Sequence, residues 1–164
     1  MSLQIISGGQ TGADRAALDF ALGRGWPHGG WCPQGRRTEA GPLPPQYQLR
    51  ETPSDAYAQR TEWNVRDSDG TVIFSLAHVL AGGAATAAEC ARRLNKPWLH
   101  LTPATPEPAQ RLRKFVATHG MRALNIAGPR ASEEPHVAGF VRQVLDEAFP
   151  ARAADGQGIH ASAG

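Results

Sequence analysis

A short β-forming run, Leu3-Gln4-Ile5-Ile6-Ser7, passes straight into Gly8-Gly9-Gln10-Thr11-Gly12-Ala13-Asp14, where a helical pattern opens at once. Three glycines within five positions dictate a tight strand-to-helix turn, because glycine alone tolerates positive φ and close backbone approach. That order aims backbone N–H groups from the positive end of a helix dipole, where an anion is stabilised. The run reads as a phosphate- or oxyanion-binding loop, with Gly8, Gly9, Gln10, Thr11, Gly12 and Asp14 as candidate contacts. It is not the Walker A pattern, since no Gly-Lys-Ser/Thr follows, and it is not GxGxxG. A glycine turn serving only strand–helix packing is the competing reading of the same residues.

The rest of the chain repeats the strand-then-helix alternation, which predicts a parallel α/β sheet. A helix is expected over 13–23, a short strand over 30–32, and another short strand at Tyr47-Gln48-Leu49 after the prolines Pro42, Pro44 and Pro45. Ser54 or Asp55 can cap a helix reaching Asp67, and Tyr57, Arg60, Asn64 and Asp67 put hydrogen-bonding groups on one of its faces. Thr71 to Leu76 is a continuous apolar run, as expected of a strand buried on both sides. Helix 84–94, strand 98–101, helix 108–118 and strand 123–127 follow. The last helix, over 133–149, is the clearest amphipath, with Val137, Phe140, Val141, Val144, Leu145 and Ala148 at helical spacing.

These elements predict a Rossmann-like three-layer α/β/α fold with a mostly parallel sheet in one domain, residues 1–149. A tail of Ala, Gly and polar residues, 150–164, is expected to be disordered. Of the 164 residues, 41% are hydrophobic and 20% charged, which suits a globular chain. A net charge of +2 without a dense basic run argues against a nucleic-acid partner. Cys32 and Cys90 match no metal spacing, and with no signal-like start the expected compartment is the reducing cytoplasm. From Gly70 to Ala88 no charged residue occurs, but His78, Gly82, Gly83 and a change of period exclude a membrane span in favour of strand, glycine loop and helix.

In an open parallel sheet, ligands bind beyond the carboxyl ends of the strands. Four segments leave such ends: 8–14, 31–37, 81–86 and 128–132. Arg36, Arg37, Arg60 and Arg130 are the candidate anion partners, since a guanidinium grips an oxyanion through two N–H groups. In Ala81-Gly82-Gly83-Ala84-Ala85-Thr86-Ala87-Ala88-Glu89, Thr86 and Glu89 could serve a ligand or simply favour a helix start. Asp67-Ser68-Asp69-Gly70 could offer oxygens to Mg²⁺ but reads first as a turn. Cys32 reads as a buried thiol, although it borders the presumed cleft. The scattered histidines suggest no zinc site, and no GxSxG elbow points to acyl transfer.

Five blocks, in order, carry a resemblance to a known family. They are residues 5–19, then Gly30-Trp31-Cys32-Pro33-Gln34-Gly35-Arg36-Arg37, then Arg60-Thr61-Glu62-Trp63-Asn64-Val65, then Asp67-Ser68-Asp69-Gly70-Thr71, then Leu124-Asn125-Ile126-Ala127-Gly128-Pro129-Arg130. Together, over about residues 3–148, they resemble the putative molybdenum cofactor carrier family. The resemblance implies a Rossmann-like fold, a homo-oligomer (dimer or tetramer), and a carrier that holds a phosphorylated pterin dithiolene bearing oxo-molybdenum rather than an enzyme. Phosphate would suit a helix N-terminus, oxo groups would suit Arg, and the planar pterin would meet Trp31 or Tyr57. The implied ligand contacts are Gly8, Gly9, Gln10, Thr11, Gly12 and Asp14, with Arg36, Arg60, Asn64, Gly82, Gly83, Thr86 and Arg130.

Residues 81–89 also resemble the PGGxGTxxE motif of the cytokinin-activating phosphoribohydrolases, of the lysine-decarboxylase-like superfamily. The alternative that follows is a nucleotide-binding protein, or a hydrolase of nucleoside monophosphates using Arg60 and Glu89. Ala81 and Ala85 depart from that motif, and Ala85 puts a methyl where a glycine would approach phosphate.

Overall fold

The computed structural model describes residues 2–151. The expected tail, 150–164, therefore lies outside the described residues from 152 onward. The strands of the main sheet are β1 (Gln4–Ile6), β2 (His28–Gly29), β5 (Gly70–Phe74), β6 (Trp98–Leu101) and β7 (Ala123–Ala127). The helices are α1 (Ala13–Arg24), α2 (Tyr57–Arg66), α3 (Gly82–Arg93), α4 (Pro108–Thr118) and α5 (Val137–Ala148). Two short strands, β3 (Trp31–Cys32) and β4 (Arg50–Glu51), pair with each other apart from that sheet.

Every strand pair is parallel, and the order in the main sheet is β2-β1-β7-β5-β6. The last strand thus enters the centre, with Ile5 beside Leu124 on one flank and Val72 beside Ile126 on the other. The result is a single-domain, three-layer α/β fold of Rossmann-like type. Strand periodicity divides the core. Val72, Phe74, Leu124 and Ile126 join residues of α1, α4 and α5 in the main cluster. Ile73 and Ala127 turn the other way, to Ala84, Ala87 and Ala88 of α3. The alanine face of α3 leaves room for close helix–sheet approach.

Several boundaries differ from the sequence reading, each for a local reason. The strand expected over 30–32 is two strands: His28 and Gly29 extend the main sheet, while Trp31 and Cys32 belong to the small ribbon. The expected strand over 47–49 falls at Arg50–Glu51 instead. Neither Ser54 nor Asp55 caps α2; Ala56 holds the cap position, and Ser54 Oγ accepts from the Ala56 N–H at 3.0 Å. β5 stops at Phe74; beyond Ser75 the Leu76 and Ala77 amides donate to the Glu134 carboxylate, at 2.7 and 3.3 Å, and not to a neighbouring strand. α5 starts at Val137 rather than Glu133: Pro135 disfavours helical backbone at Glu134, and the amides of Glu133 and Glu134 close a turn on the Arg130 carbonyl. Among the described residues, no helix is long and apolar enough to cross a membrane.

Candidate functional site

Strand order changes direction around β1, β7 and β5, and a cavity of about 190 Å³ opens there. Gly8 follows β1 into it, Asn125 to Arg130 line it from the end of β7, and Gly82 and Gly83 bring the start of α3. α2 supplies Tyr57, Arg60, Thr61 and Asn64, so three of the four residues on the polar face read from the spacing of that helix form the cavity wall, while the fourth, Asp67, accepts the Trp31 indole N–H away from it.

Arg60 is the central cation. Its side chain is 8% exposed, and Nη1 donates to the Gly8 carbonyl at 2.7 Å. The same nitrogen lies 3.8 Å from Asp14 Oδ2. A side chain on Gly8 would run into this guanidinium, so the first glycine of the loop is there to admit Arg60. Asp14 accepts the Gln10 N–H at 3.3 Å through Oδ2, while Oδ1 has no hydrogen-bond partner among the described residues. Burial pushes the Asp14 carboxyl up to about 6, against the pull of Arg60, the Gln10 amide and Arg15.

The glycine loop differs from the open nest of amides that its sequence suggests. Gly9 N–H donates to Ser7 Oγ, Gln10 N–H to Asp14, Thr11 N–H to Gln10 Oε1 and Ala13 N–H to the Pro129 carbonyl. Those donors are already occupied by the protein. Gly9 faces Leu43 and Leu49 instead of the cavity. Gly12, at φ 81°, passes so close to the 128–132 loop that a Cβ would stand 2.5 Å from the Pro129 carbonyl oxygen. Thr11 clamps the same two loops: its hydroxyl donates to Glu39 and accepts the Ala131 N–H at 3.1 Å. Glu39 also accepts from the Ser132 N–H and hydroxyl, which hold its carboxyl below the usual range.

Donors without internal partners lie at α3. The Gly82, Gly83 and Ala84 amides have no acceptor among the described residues, and no side chain caps that helix. The group nearest this helix start is the carboxylate of Glu133, whose Oε2 lies 3.2 Å from where a Cβ on Gly82 would be. Arg130 joins it across the mouth, with Nε 2.8 Å from Glu133 and 3.6 Å from Glu39. The cavity thus carries two cations, Arg60 and Arg130, and two carboxyls, Asp14 and Glu133.

Of the residues predicted from sequence, Gly8, Gln10, Asp14, Arg60, Asn64, Gly82, Gly83 and Arg130 meet at this cavity. Gly9, Thr11, Gly12, Arg36 and Thr86 do not line it. Arg36 holds the 43–47 turn, donating to the carbonyls of Leu43, Pro44 and Tyr47 at 2.7–2.9 Å. Thr86 bonds back to the Gly82 carbonyl within its own helix. Glu89, paired with Arg60 in the hydrolase alternative, stands 71% exposed and 3.4 Å from Arg92, away from the cavity. Trp31 likewise sits elsewhere, edge-on to Trp63 and donating its indole N–H to Asp67.

The candidate metal positions have structural partners too. Asp69 accepts the Arg122 and Ala123 amides, which pull its carboxyl below the usual range. Cys32 is buried with Leu18, Leu43, Tyr47 and Leu49, and burial raises its thiol. Among the described residues no group of three or more metal-ligating side chains comes together.

Sequence reasoning did not single out Thr61, Asn125 or Glu133. Asn125 carries the best signal in retrospect, as a polar residue inside an apolar strand pattern. It donates to Thr71 Oγ1 at 3.1 Å and reaches the cavity from the sheet.

Comparison with known proteins agrees with this fold. A crystal structure of a protein named putative molybdenum carrier protein, from Syntrophus aciditrophicus SB, superposes with a TM-score of 0.87. The two chains share 44% identity over 90% of this chain and 95% of the other. No curated protein matches the chain. The model of the circularly permutated YpsA SLOG family matches residues 5–149. With that match, the chain belongs to the circularly permutated YpsA SLOG family.

Proposed function

We propose that this protein binds a phosphorylated, pterin-type anionic ligand at the carboxyl edge of its sheet and carries it without transforming it, the molybdenum cofactor being the cargo. The observation that carries the reading is the buried Arg60 guanidinium facing the unpartnered amides of α3 across one cavity. Those groups complement an oxyanion at its charge and at its oxygens. The name of the Syntrophus neighbour supports the choice of cargo.

The residues fit one end of such a ligand. At about 190 Å³ the cavity is smaller than the roughly 300–1,000 Å³ that encloses a drug-sized molecule. It therefore takes the phosphate and leaves a pterin at the mouth, where the Tyr57 ring lies between Arg37 at 4.6 Å and Arg60 at 5.4 Å. No sulfur lines the cavity, so molybdenum would keep its own dithiolene ligands. The protein's part is to bind the phosphate, orient the ring and shield it from solvent.

Anaerobic titration with molybdenum cofactor tests the proposal, reading both retention through gel filtration and the lifetime of the cofactor in air. Saturable retention with a lengthened lifetime supports a carrier. Protein that neither holds nor protects the cofactor rules it out.

A further inference from the structure

The two charges of each sign in the cavity set a problem for any anion that enters. With Asp14 and Glu133 ionised, they balance Arg60 and Arg130, so a dianion meets a site of no net charge. The two carboxyls are not equivalent. Glu133 is 37% exposed beside an equally accessible Arg130, and can turn to solvent. Asp14 cannot turn away: its side chain is 10% exposed and Oδ2 is tied to the Gln10 amide. Its other oxygen, Oδ1, belongs to a cavity-lining residue and has no partner among the described residues. A carboxylate oxygen open to the cavity and set next to an oxyanion oxygen is strongly repulsive unless a proton lies between them.

We infer that Asp14 is the specificity-determining residue of this site, holding one proton jointly with the bound oxyanion and so selecting phosphate monoesters over oxyanions that carry no proton near neutrality. This rests on the binding reading above and adds which end of the cargo enters: the phosphate, and not the oxo-metal. A phosphate monoester suits this arrangement because its second ionisation falls at about pH 6. Burial has already brought Asp14 to about the same value. Two groups of matched proton affinity at contact titrate as one pair, which takes up a proton from solvent on forming. Sulfate and molybdate bring no such proton affinity, and only Asp14 itself can then supply the shared hydrogen.

The charged groups facing Asp14 are few. Arg60 approaches from α2, Arg15 flanks it on α1, and Arg130 with Glu133 lie across the cavity. The two nearest are guanidinium groups, donors with no acceptor site, so a proton taken up near neutrality goes to the Asp14–oxyanion pair.

Calorimetric titration of the full chain with methyl phosphate, the simplest phosphate monoester, and with sulfate tests the inference. It is run at pH 7.5 in two buffers of different ionisation enthalpy. The wild type is expected to take up roughly one proton per phosphate bound, from the matched pair. It should prefer phosphate to sulfate at least about tenfold, the equivalent of one unit of proton affinity. Asp14→Asn should take up well under one proton per phosphate bound and hold the two anions within about threefold of each other. The buffer comparison needs no variant, so it decides the matter even if Asp14→Asn fails to fold. Phosphate binding with no proton uptake and no preference over sulfate overturns this inference and leaves the carrier reading standing. No binding of either anion overturns the oxyanion site itself, and both readings with it.

Discussion

Asn64 serves Trp31 as a neighbouring strand would: its Oδ1 accepts the Trp31 N–H at 2.7 Å and its Nδ2 donates to the Trp31 carbonyl at 3.0 Å. The side chain of a helical residue thereby stands in for a β-ladder where β3 is only two residues long. Asn64 is 2% exposed, so no water replaces these bonds without rearrangement. Asn64→Ala strands a buried donor and acceptor, at about 1–3 kcal/mol each. The expected outcome is a melting temperature lower by roughly 4–24 °C, taking about 2–4 °C per kcal/mol for a chain of this size. A loss under about 1 °C on thermal denaturation would show that the pairing contributes nothing.

Asp14 makes stability depend on pH in a stated direction. Its folded value of about 6 lies above the ordinary 3.8, so the folded state binds a proton that the unfolded state releases between those limits. Stability from this group is complete below pH 3.8 and is lost as pH rises through about 6. The ionised carboxylate then costs the fold about 3 kcal/mol, the shift expressed as free energy. Asp14→Asn mimics the protonated acid. It is expected to melt higher than wild type at pH 8, with a difference that shrinks steadily as pH falls to 4. Urea midpoints across that range check this, and a difference independent of pH would refute it.

How much of this site was legible before any fold was known depends on whether its parts are local. The spacing of Tyr57, Arg60, Asn64 and Asp67 declared a polar helix face, and all of it but Asp67 is the cavity wall. Gly8 to Asp14 declared a strand–turn–helix, and it forms one. What the run could not declare is where its amides go, because Asp14 and Gln10 fold back on them at a distance of a few residues. Arg36 and Arg60 are alike in sequence as arginines set among other polar groups. Only the 43–47 turn, whose three carbonyls claim Arg36, separates them. Glu133 was hidden for another reason. It belongs to the site because β7 enters the sheet between β1 and β5, and strand order leaves no trace in local periodicity.

Glu89 provides a negative control for the hydrolase alternative. Its carboxylate is 71% exposed and its one ion pair, with Arg92, is on the surface of α3. Surface pairs of this kind contribute little. Glu89→Ala is therefore expected to leave stability within about 0.5 kcal/mol of wild type. Phosphate affinity should be unchanged as well. Release of free base from a nucleoside monophosphate that disappears in this variant would reverse the assignment and restore Glu89 to the chemistry.

On the proposed reading of the cavity, Glu133 competes with the ligand. Its carboxylate lies in front of the α3 N-terminus, 3.2 Å from where a Cβ on Gly82 would stand, and holds Arg130 Nε at 2.8 Å. Both are groups that an incoming oxyanion would use, so binding must first displace a charge of the same sign. Glu133→Gln keeps the shape and removes that charge. The expected result is phosphate affinity about tenfold tighter, near 1.4 kcal/mol, since one like charge next to the ligand has gone and Arg130 is released to it. The gain should fade at high salt, because Glu133 and Arg130 are both solvent-accessible and screened. Arg130→Ala should move affinity the other way. If Glu133→Gln instead weakens phosphate binding, the carboxylate holds Arg130 in its binding position, and displacement is the wrong picture of how this cavity fills.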